Sequence, residues 1–241
     1  LETKEYAKRL VEQMTLEEKI SQMRYESPAI ERLHIPAYNW WNEALHGVAR
    51  SGVATMFPQA IALAATFDEE LLEKIGDVVS TEGRAKFEAD HLKAAACAKH
   101  FAVHSGPEAL RHEFDAKVSL HDLYDTYLYA FKRCVKDAGV EAVMGAYNRV
   151  NGEPACGSKT LLQDILRKQF GFEGHVVSDC WAILDFHENH HVTKTVEESA
   201  AMAVNHGCDL NCGKAFLYLS RACEQGLVEE KTITEAVERL M

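Results

Sequence analysis

The sequence lacks a long apolar run, a recognisable signal peptide and a lipidation motif. It therefore gives no indication of a membrane-spanning segment, although a processed mature chain would already have lost its signal. Basic residues are scarce: 26 Lys and Arg stand against 37 Asp and Glu, giving a formal net charge of −11, and no basic stripe is present. This balance argues against a nucleic-acid or anionic-membrane partner. The compartment stays unassigned, with the cytoplasm favoured over the periplasm or secretion.

Several short motifs that indicate common chemistries are absent as well. There is no GxGxxG and no phosphate-binding loop, so a nucleotide site has no support, and no GxSxG presents a nucleophilic serine. His100 and His104 are four residues apart, and further histidines stand at 187, 190 and 191. Neither group has acidic or cysteine partners at zinc-site spacing, so we expect no metal and no cofactor.

Cysteine is present but forms no recognisable framework. The seven cysteines are an odd number, lie scattered along the chain, and several fall in strand-like apolar runs. Cys208 and Cys212 bracket a predicted strand end with a spacing unlike that of the usual zinc sites. We expect buried or site-lining thiols rather than a set of disulfides.

The sequence does contain enough apolar material for a sizeable core. Hydrophobic residues make up 47% of its 241 residues, and charged residues 26%. Thr15 and Glu18 form a predicted capping box, and Ser119 and Ser158 are placed to cap two later helices. Six runs between helical segments are continuously apolar or small, as in a parallel sheet buried on both faces: AYNWW, IALAAT, LKAAACAKHF, VEAVMGAYN, HVVSD and CDLN. The pattern predicts an α/β fold of the (β/α)8 barrel type, as a single domain over residues 1–241.

Polar or charged side chains close most of these predicted strands. They are Asn42, Glu43, Lys99, His100, Tyr147, Asn148, Asp179, Asp209 and Asn211. The carboxyl ends of the strands of a parallel barrel converge on one face, and active sites are built there. We therefore expect these side chains to meet.

The stretch GHVVSDCWAI places one carboxylate, Asp179, directly after an apolar run. An Asp in such a place is often only the N-cap of the next helix. An ionised Asp can also act as the nucleophile in covalent glycosyl transfer, and a nearby Lys99 ammonium would keep it ionised. The tryptophans at 40, 41 and 181 offer apolar faces to a pyranose ring. Their shared location at strand ends favours the functional interpretation.

Longer motifs run in a fixed order along most of the chain. They are NEALHG (42–47), FPQAIALAATFD (57–68), CAKHFAVHSGPE (97–108), RHEFDAKVS (111–119), VMGAYNRVNGEPAC (143–156), FGFEGHVVSDCWAI (170–183) and GCDLNCG (207–213). In this order they resemble the N-terminal barrel domain of glycoside hydrolase family 3. NEALHG together with SDC is similar to the β-xylosidase and arabinofuranosidase branch rather than to typical β-glucosidases.

The resemblance implies a retaining exo-glycosidase that hydrolyses terminal β-linked sugars through a covalent glycosyl-aspartate, with β-xylosides favoured over β-glucosides and α-arabinofuranosides. Asp179 would be the nucleophile. The other implied site residues would bind or enclose the sugar: Lys99 and His100 on ring hydroxyls, Glu43 on another hydroxyl, Trp41 as a wall, Tyr147 beside the nucleophile, and Cys180 and Trp181 lining the pocket. The expected partner is a carbohydrate, such as a xylo-oligosaccharide or an aryl glycoside.

Two departures from the family pattern affect these expectations. Between RAKFEAD and HLKAAAC the family carries a further strand, helix and loop, so we expect one β/α unit to be deleted or disordered after residue 90. A retaining mechanism also needs a second carboxyl about 5 Å from the first. In most of the family a following α/β-sandwich domain supplies it. We expect that domain to be absent and the chain to be a fragment, with Glu108 and His112 as weak stand-ins.

Two other interpretations stay open. The chain is a non-catalytic sugar-binding barrel or an inactive remnant if Asp179 only hydrogen-bonds a ligand. It is an aldolase if Lys99 forms a Schiff base, which requires that lysine to be desolvated. The missing domain is a further expected partner. A second copy of the chain is another, because loss of a barrel unit exposes strand edges that could pair with it.

Overall fold

A computed structural model describes residues 2–90, 96–104 and 106–241. The chain divides into two compact units, one of Leu1–Ala37 with Cys97–Met241 and the other of Tyr38–Ala96. The single domain over residues 1–241 stays a prediction. In the part of the chain that the structure describes, no helix is both long and apolar enough to cross a bilayer.

The described residues form short strands and helices in alternation. The strands are β1 (Glu26–Ser27), β2 (Tyr38–Asn39), β3 (Cys97–Phe101), β4 (Asp115–Ala116), β5 (Ala142–Gly145), β6 (Arg149–Val150), β7 (Glu153–Pro154) and β8 (His175–Ser178). The α-helices are α1 (Glu2–Val11), α2 (Leu16–Gln22), α3 (Ala60–Ala64), α4 (Glu69–Asp90), α5 (Leu120–Asp122), α6 (Tyr129–Lys136), α7 (Asp185–Glu188), α8 (Val196–Asn205), α9 (Leu219–Glu224) and α10 (Glu230–Leu240). Short 3₁₀ turns lie at Glu31–Leu33, Glu108–Leu110, Ala155–Gly157 and Ala215–Tyr218, and π-helical segments at Leu123–Tyr127 and Lys159–Gln169.

A row of parallel pairings forms the centre of the first unit. Strand β5 lies between β3 and β8 and pairs in parallel with both. Beyond β8, Leu210 forms a parallel bridge to Val177, and the next residue, Asn211, forms one to Arg24. These pairings confirm the predicted α/β class with parallel strands, although the strands of the described residues do not trace a closed barrel.

The predicted helix starts are confirmed. The Thr15 side chain accepts from the backbone N–H of Glu18 at 3.2 Å, and the Glu18 carboxylate accepts from the N–H of Thr15 at 2.8 Å. The hydroxyls of Ser119 and Ser158 accept backbone N–H groups at 3.1 and 2.9 Å. Each such cap stabilises its helix by about 1 kcal/mol, because it satisfies a donor that the first helical turn leaves unpaired.

One predicted strand is wrong, and another is present only as two isolated bridges. IALAAT was predicted as a strand but folds as part of helix α3, and its alanines and leucine are strong helix formers. CDLN contributes only the isolated bridges of Leu210 and Asn211. The β/α unit predicted to be deleted or disordered after residue 90 falls at residues 91–95, which lie outside the described residues.

One fully buried carboxylate ties helices to the sheet of the first unit. Asp209 accepts from Arg167 Nη2 at 2.6 Å and from Arg239 Nη1 at 2.7 Å. It also accepts the backbone N–H of Val176 in β8 at 2.8 Å. Both of its oxygens thus have partners, so Asp209 holds the π-helical segment Lys159–Gln169 and α10 against β8.

The second unit leaves large apolar side chains in solvent. Lys86 of α4 donates to the carbonyls of Ser51 and Val53 at 2.6 and 2.7 Å, which fixes the loop before α3. Val53 is nevertheless 96% exposed and Phe67 93% exposed, and Ile61 is also exposed. Soluble chains seldom expose so many large apolar side chains close together in sequence.

Candidate active site

Asp179 lies directly after β8 and is almost completely buried. Its Oδ1 accepts the backbone N–H of Cys180 at 2.8 Å, and its own N–H donates to the carbonyl of Gly145 at 3.2 Å. The next α-helix, α7, begins only at Asp185. Asp179 therefore does not cap an α-helix, and its carboxylate sits at the carboxyl end of the central parallel strands.

The end of β3 brings His100 to this carboxylate. Its Nε2 lies 3.3 Å from Oδ2 of Asp179. Burial first, then the charges of His104, Lys99 and Arg111, lower the pKa of His100 to about 3. His100 is therefore neutral at neutral pH, and its contact with Asp179 is not an ion pair. The Lys99 side chain is exposed, without the desolvation that an aldolase lysine requires.

Tyr147, in the turn after β5, also reaches Asp179. Its hydroxyl is close enough to the Asp179 carboxylate to lower the pKa of that carboxyl as a hydrogen-bond donor. Burial and the charge of Asp179 raise the pKa of Tyr147 well above its usual value, so the hydroxyl stays protonated and donates. Burial raises the pKa of Asp179, and the N–H of Cys180, Lys99, His104 and Tyr147 oppose that shift. These donors and cations offset part of the cost of burying the Asp179 carboxylate, but burial has the larger effect on its pKa.

A disulfide borders the carboxylate and corrects our expectation for two of the cysteines. Cys180 and Cys212 are bonded, with their Cα atoms 4.4 Å apart, and the N–H of Trp181 donates to the carbonyl of Cys212 at 2.7 Å. The expectation of thiols was wrong for this pair because parallel pairing of Val177 with Leu210 brings two distant segments together. The other five cysteines are free.

Removing this disulfide is expected to lower the free energy of unfolding by about 2–4 kcal/mol, because the bond restricts the unfolded chain. Urea unfolding of Cys212→Ala should show that loss, and dithiothreitol should bring the parent to the same stability while leaving the variant unchanged. Cys223→Ala, which removes a free thiol, is the matched control. A parent whose stability does not respond to reductant would contradict the prediction.

Trp181 presents an open indole at the edge of this group. It is 48% exposed, and the ammonium of Lys214 lies 5.9 Å from the centre of its ring. An exposed aromatic face of this kind suits the C–H side of a sugar ring.

The two predicted site residues of the second unit stand together in a loop. Glu43 pairs with Arg50 at 3.0 Å, and the Arg50 guanidinium lies 4.5 Å from the ring centre of Trp41. A cavity of about 380 Å³ is lined by residues of the loop from 43 to 56. Their participation in a site with Asp179 stays a prediction.

Three residues of this group, His104, Arg111 and Asp185, were not assigned to it from the sequence. The ring centres of His104 and His100 are 4.1 Å apart. The Arg111 guanidinium lies 5.4 Å from the ring centre of Tyr147. Asp185 hydrogen-bonds His112, whose ring centre is 4.7 Å from that of Tyr147. The run KHFAVHSGPEALRH did contain a signal, because so many basic side chains follow one strand end. The spacing of His104 from His100 suggested only a metal ligand, and no motif marked Asp185.

Glu108 and His112, the two residues predicted as replacements for the second carboxyl, differ in their surroundings. Glu108 is exposed and forms an ion pair with Arg111. His112 hydrogen-bonds through Nδ1 to the buried carboxylate of Asp185 at 2.8 Å.

The sequence and fold of this chain are similar to those of known glycosidases. Residues 87–241 match the model of the glycosyl hydrolase family 3 N-terminal domain. The chain is 40% identical over 303 residues to a probable exo-1,4-beta-xylosidase of Neosartorya fischeri, covering 97% of this chain and 39% of that protein. It is 38% identical over 305 residues to a xylan 1,4-beta-xylosidase of Xylanibacter ruminicola, covering 100% of this chain and 35% of that protein. A solved family 3 exo-beta-xylosidase in complex with a xylobiose aziridine probe superposes with a TM-score of 0.91 at 28% identity, over 98% of this chain and 39% of the other.

The extent of these alignments bears on the predicted missing unit. The chain spans less than half the length of these relatives. The alignment with the Xylanibacter protein is 305 residues long although this whole chain has 241, so the relative carries internal residues that have no counterpart here. The family model nevertheless covers well over half of the chain, from helix α4 to the last residue. The chain therefore belongs to glycosyl hydrolase family 3.

Proposed function

We propose that this chain carries the nucleophile and part of the sugar site of a retaining exo-β-xylosidase. The observation on which this depends is the buried carboxylate of Asp179, which accepts the backbone N–H of Cys180 and lies beside the Tyr147 hydroxyl, Lys99 and His100. Similarity to proteins named as exo-1,4-β-xylosidases supports xylose as the sugar.

In the proposed reaction, a carboxylate oxygen of Asp179 forms a bond to the anomeric carbon as the bond from that carbon to the leaving oxygen breaks. The leaving oxygen takes a proton from a general acid. Water then attacks the same carbon and gives a proton to the conjugate base, and Asp179 departs again as a carboxylate. Each step conserves charge, and the two displacements retain the β configuration.

Sugar binding follows from the groups around Asp179. Neutral His100 and the exposed ammonium of Lys99 are donors for ring hydroxyls, and Trp181 offers its open face. Glu43 and Trp41 stay predicted sugar-binding residues because of their place in the family motif. The Cys180 side chain lies in the disulfide, so it contributes a fixed wall rather than a thiol.

The general acid and base is proposed to come from beyond the matched N-terminal domain, from a following α/β-sandwich domain. Two features support this. Glu108 is held by Arg111 at the surface, and the curated relatives extend well beyond the matched region. If the general acid lies elsewhere, a lack of turnover does not distinguish an enzyme from a non-catalytic sugar-binding barrel. Formation of a covalent bond at Asp179 does.

Covalent trapping provides the test, because an activated leaving group departs without a proton. Incubation with 2,4-dinitrophenyl 2-deoxy-2-fluoro-β-xyloside should release dinitrophenolate and add one fluoroxylosyl group, found on Asp179 by intact mass and peptide mapping. The matching β-glucoside and α-arabinofuranoside should react more slowly. Saturable binding of xylose without an adduct would support the non-catalytic sugar-binding barrel instead.

The trapping rate should depend on pH in a direction set by the burial of Asp179. Burial raises the pKa of this carboxyl above 3.8, and only the carboxylate attacks. The rate should thus fall as pH decreases through a midpoint above 3.8. Tyr147→Phe removes a hydrogen bond that lowers the pKa, so it should move the midpoint upward. Tyr124→Phe, at a surface tyrosine bonded to Gln169, is the control. A midpoint that Tyr147→Phe leaves in place or lowers would refute this assignment.

A further inference from the structure

A second buried carboxylate, that of Asp185 at the start of α7, has no role in the proposed reaction. It is 4% exposed. Its Oδ2 lies 2.8 Å from Nδ1 of His112, and its Oδ1 accepts from the side-chain amide of Asn189 at 2.6 Å. Burying a carboxylate is unfavourable unless such partners compensate it. These bonds hold the Asp185 side chain in place, so it can fix the orientation of a side chain that bonds to it.

The bond to Asp185 fixes the orientation of His112. Since the Asp185 carboxylate is an acceptor, Nδ1 of His112 carries the proton and donates it, which sets both the tautomer and the plane of the ring. The ring then meets Tyr147 edge to face, with centroids 4.7 Å apart and planes at 65°. Aromatic pairs prefer this arrangement. Arg111, the neighbour of His112, lies near the same tyrosine ring, 5.4 Å from its centre.

Tyr147 needs such support because its position is not fixed by burial alone. It lies in a turn between β5 and β6 and is only partly buried. Its hydroxyl interacts with the Asp179 carboxylate, and a rotation of the ring would move it out of reach. Contacts that hold a functional side chain in one rotamer control how well it serves the reacting group.

We propose that Asp185 and His112 are positioning residues that hold the Tyr147 hydroxyl on the Asp179 carboxylate. The chain of contacts runs from Asp185 through the His112 ring to Tyr147 and ends at Asp179. This proposal rests on the proposed function, because it assigns a purpose to Tyr147 only if Asp179 is the nucleophile. Neither His112 nor Asp185 touches the sugar in this scheme.

A double-mutant cycle on the trapping rate tests the proposal. His112→Ala and Tyr147→Phe should each lower the rate of adduct formation with the dinitrophenyl fluoroxyloside about tenfold, the loss typical for a hydrogen bond to a charged group. The double variant should be no slower than Tyr147→Phe alone, because His112 acts only through the tyrosine hydroxyl. His121→Ala, at an exposed histidine before the π-helical segment Leu123–Tyr127, should be labelled at the parental rate.

A second variant covers the case in which His112→Ala fails to fold. Asp185→Asn keeps the shape of the buried side chain and weakens its hold on His112. It should lower the trapping rate in the parent and leave the rate unchanged in the Tyr147→Phe background. Near-UV circular dichroism of each variant verifies that the fold is retained.

The outcomes separate this proposal from the proposed function. If the parent forms no adduct, the proposed function fails and the positioning role fails with it. If the parent is labelled but His112→Ala and Asp185→Asn react at the parental rate, the positioning role alone is overturned. Losses from His112 and Tyr147 that simply multiply in the double variant also overturn it, since they would show that His112 acts independently of the tyrosine.

Discussion

Replacement of Asp179 by Ala is expected to abolish formation of the glycosyl adduct, lowering the rate on the order of 10⁴-fold or more. The expectation follows from the position of this carboxylate at the end of β8, with a backbone N–H and a tyrosine hydroxyl directed at it. The variant should still bind xylose, because Lys99, His100 and Trp181 remain. Loss of labelling together with retained binding separates a nucleophile from a residue that only holds the sugar.

The matched control for this variant is Asp164→Ala. Asp164 lies on the surface of the π-helical segment Lys159–Gln169 and pairs with Lys168 at 2.6 Å. This variant should label at the parental rate. Residual labelling of Asp179→Ala at a different carboxylate would show that the nucleophile had been assigned to the wrong residue.

The largest loss of stability is expected from Asp209→Ala, about 3–5 kcal/mol in the free energy of unfolding. Asp209 is fully buried and holds Arg167 and Arg239 at 2.6 and 2.7 Å. Without it, two guanidinium groups remain close together with no carboxylate between them. Urea unfolding followed by circular dichroism measures the loss.

The same surface variant, Asp164→Ala, serves as the control here, because exposed ion pairs contribute little to stability. A more demanding test replaces the triad Asp209, Arg167 and Arg239 with apolar residues of similar size. Such replacements of buried ion clusters are often neutral or stabilising, so the triple variant should recover much of the loss. A single variant as stable as the parent would contradict the role assigned to Asp209.

The features predicted from the sequence are those that depend on near neighbours. The caps at Thr15, Ser119 and Ser158 each involve residues three positions apart, and all are present. The apolar run before Asp179 likewise defines β8 and places the carboxylate at its end. Family motifs extended this local information to the central strands.

The features that were missed depend on residues that are distant in sequence. Cys180 and Cys212 are 32 positions apart, and His112 and Asp185 are 73 apart. Neither spacing carries a local signal, since only the packing of the folded chain brings these pairs together. The wrong assignment of IALAAT has a different origin, because a short apolar run fits a buried strand and a helix equally well.

The bare hydrophobic side chains of the second unit have a practical consequence for any measurement on this protein. With Val53, Phe67 and Ile61 in water, molecules in concentrated solution are expected to adhere to one another through this region. Kinetic and hydrodynamic work therefore calls for dilute samples, and light scattering as a function of concentration would reveal the onset of clustering.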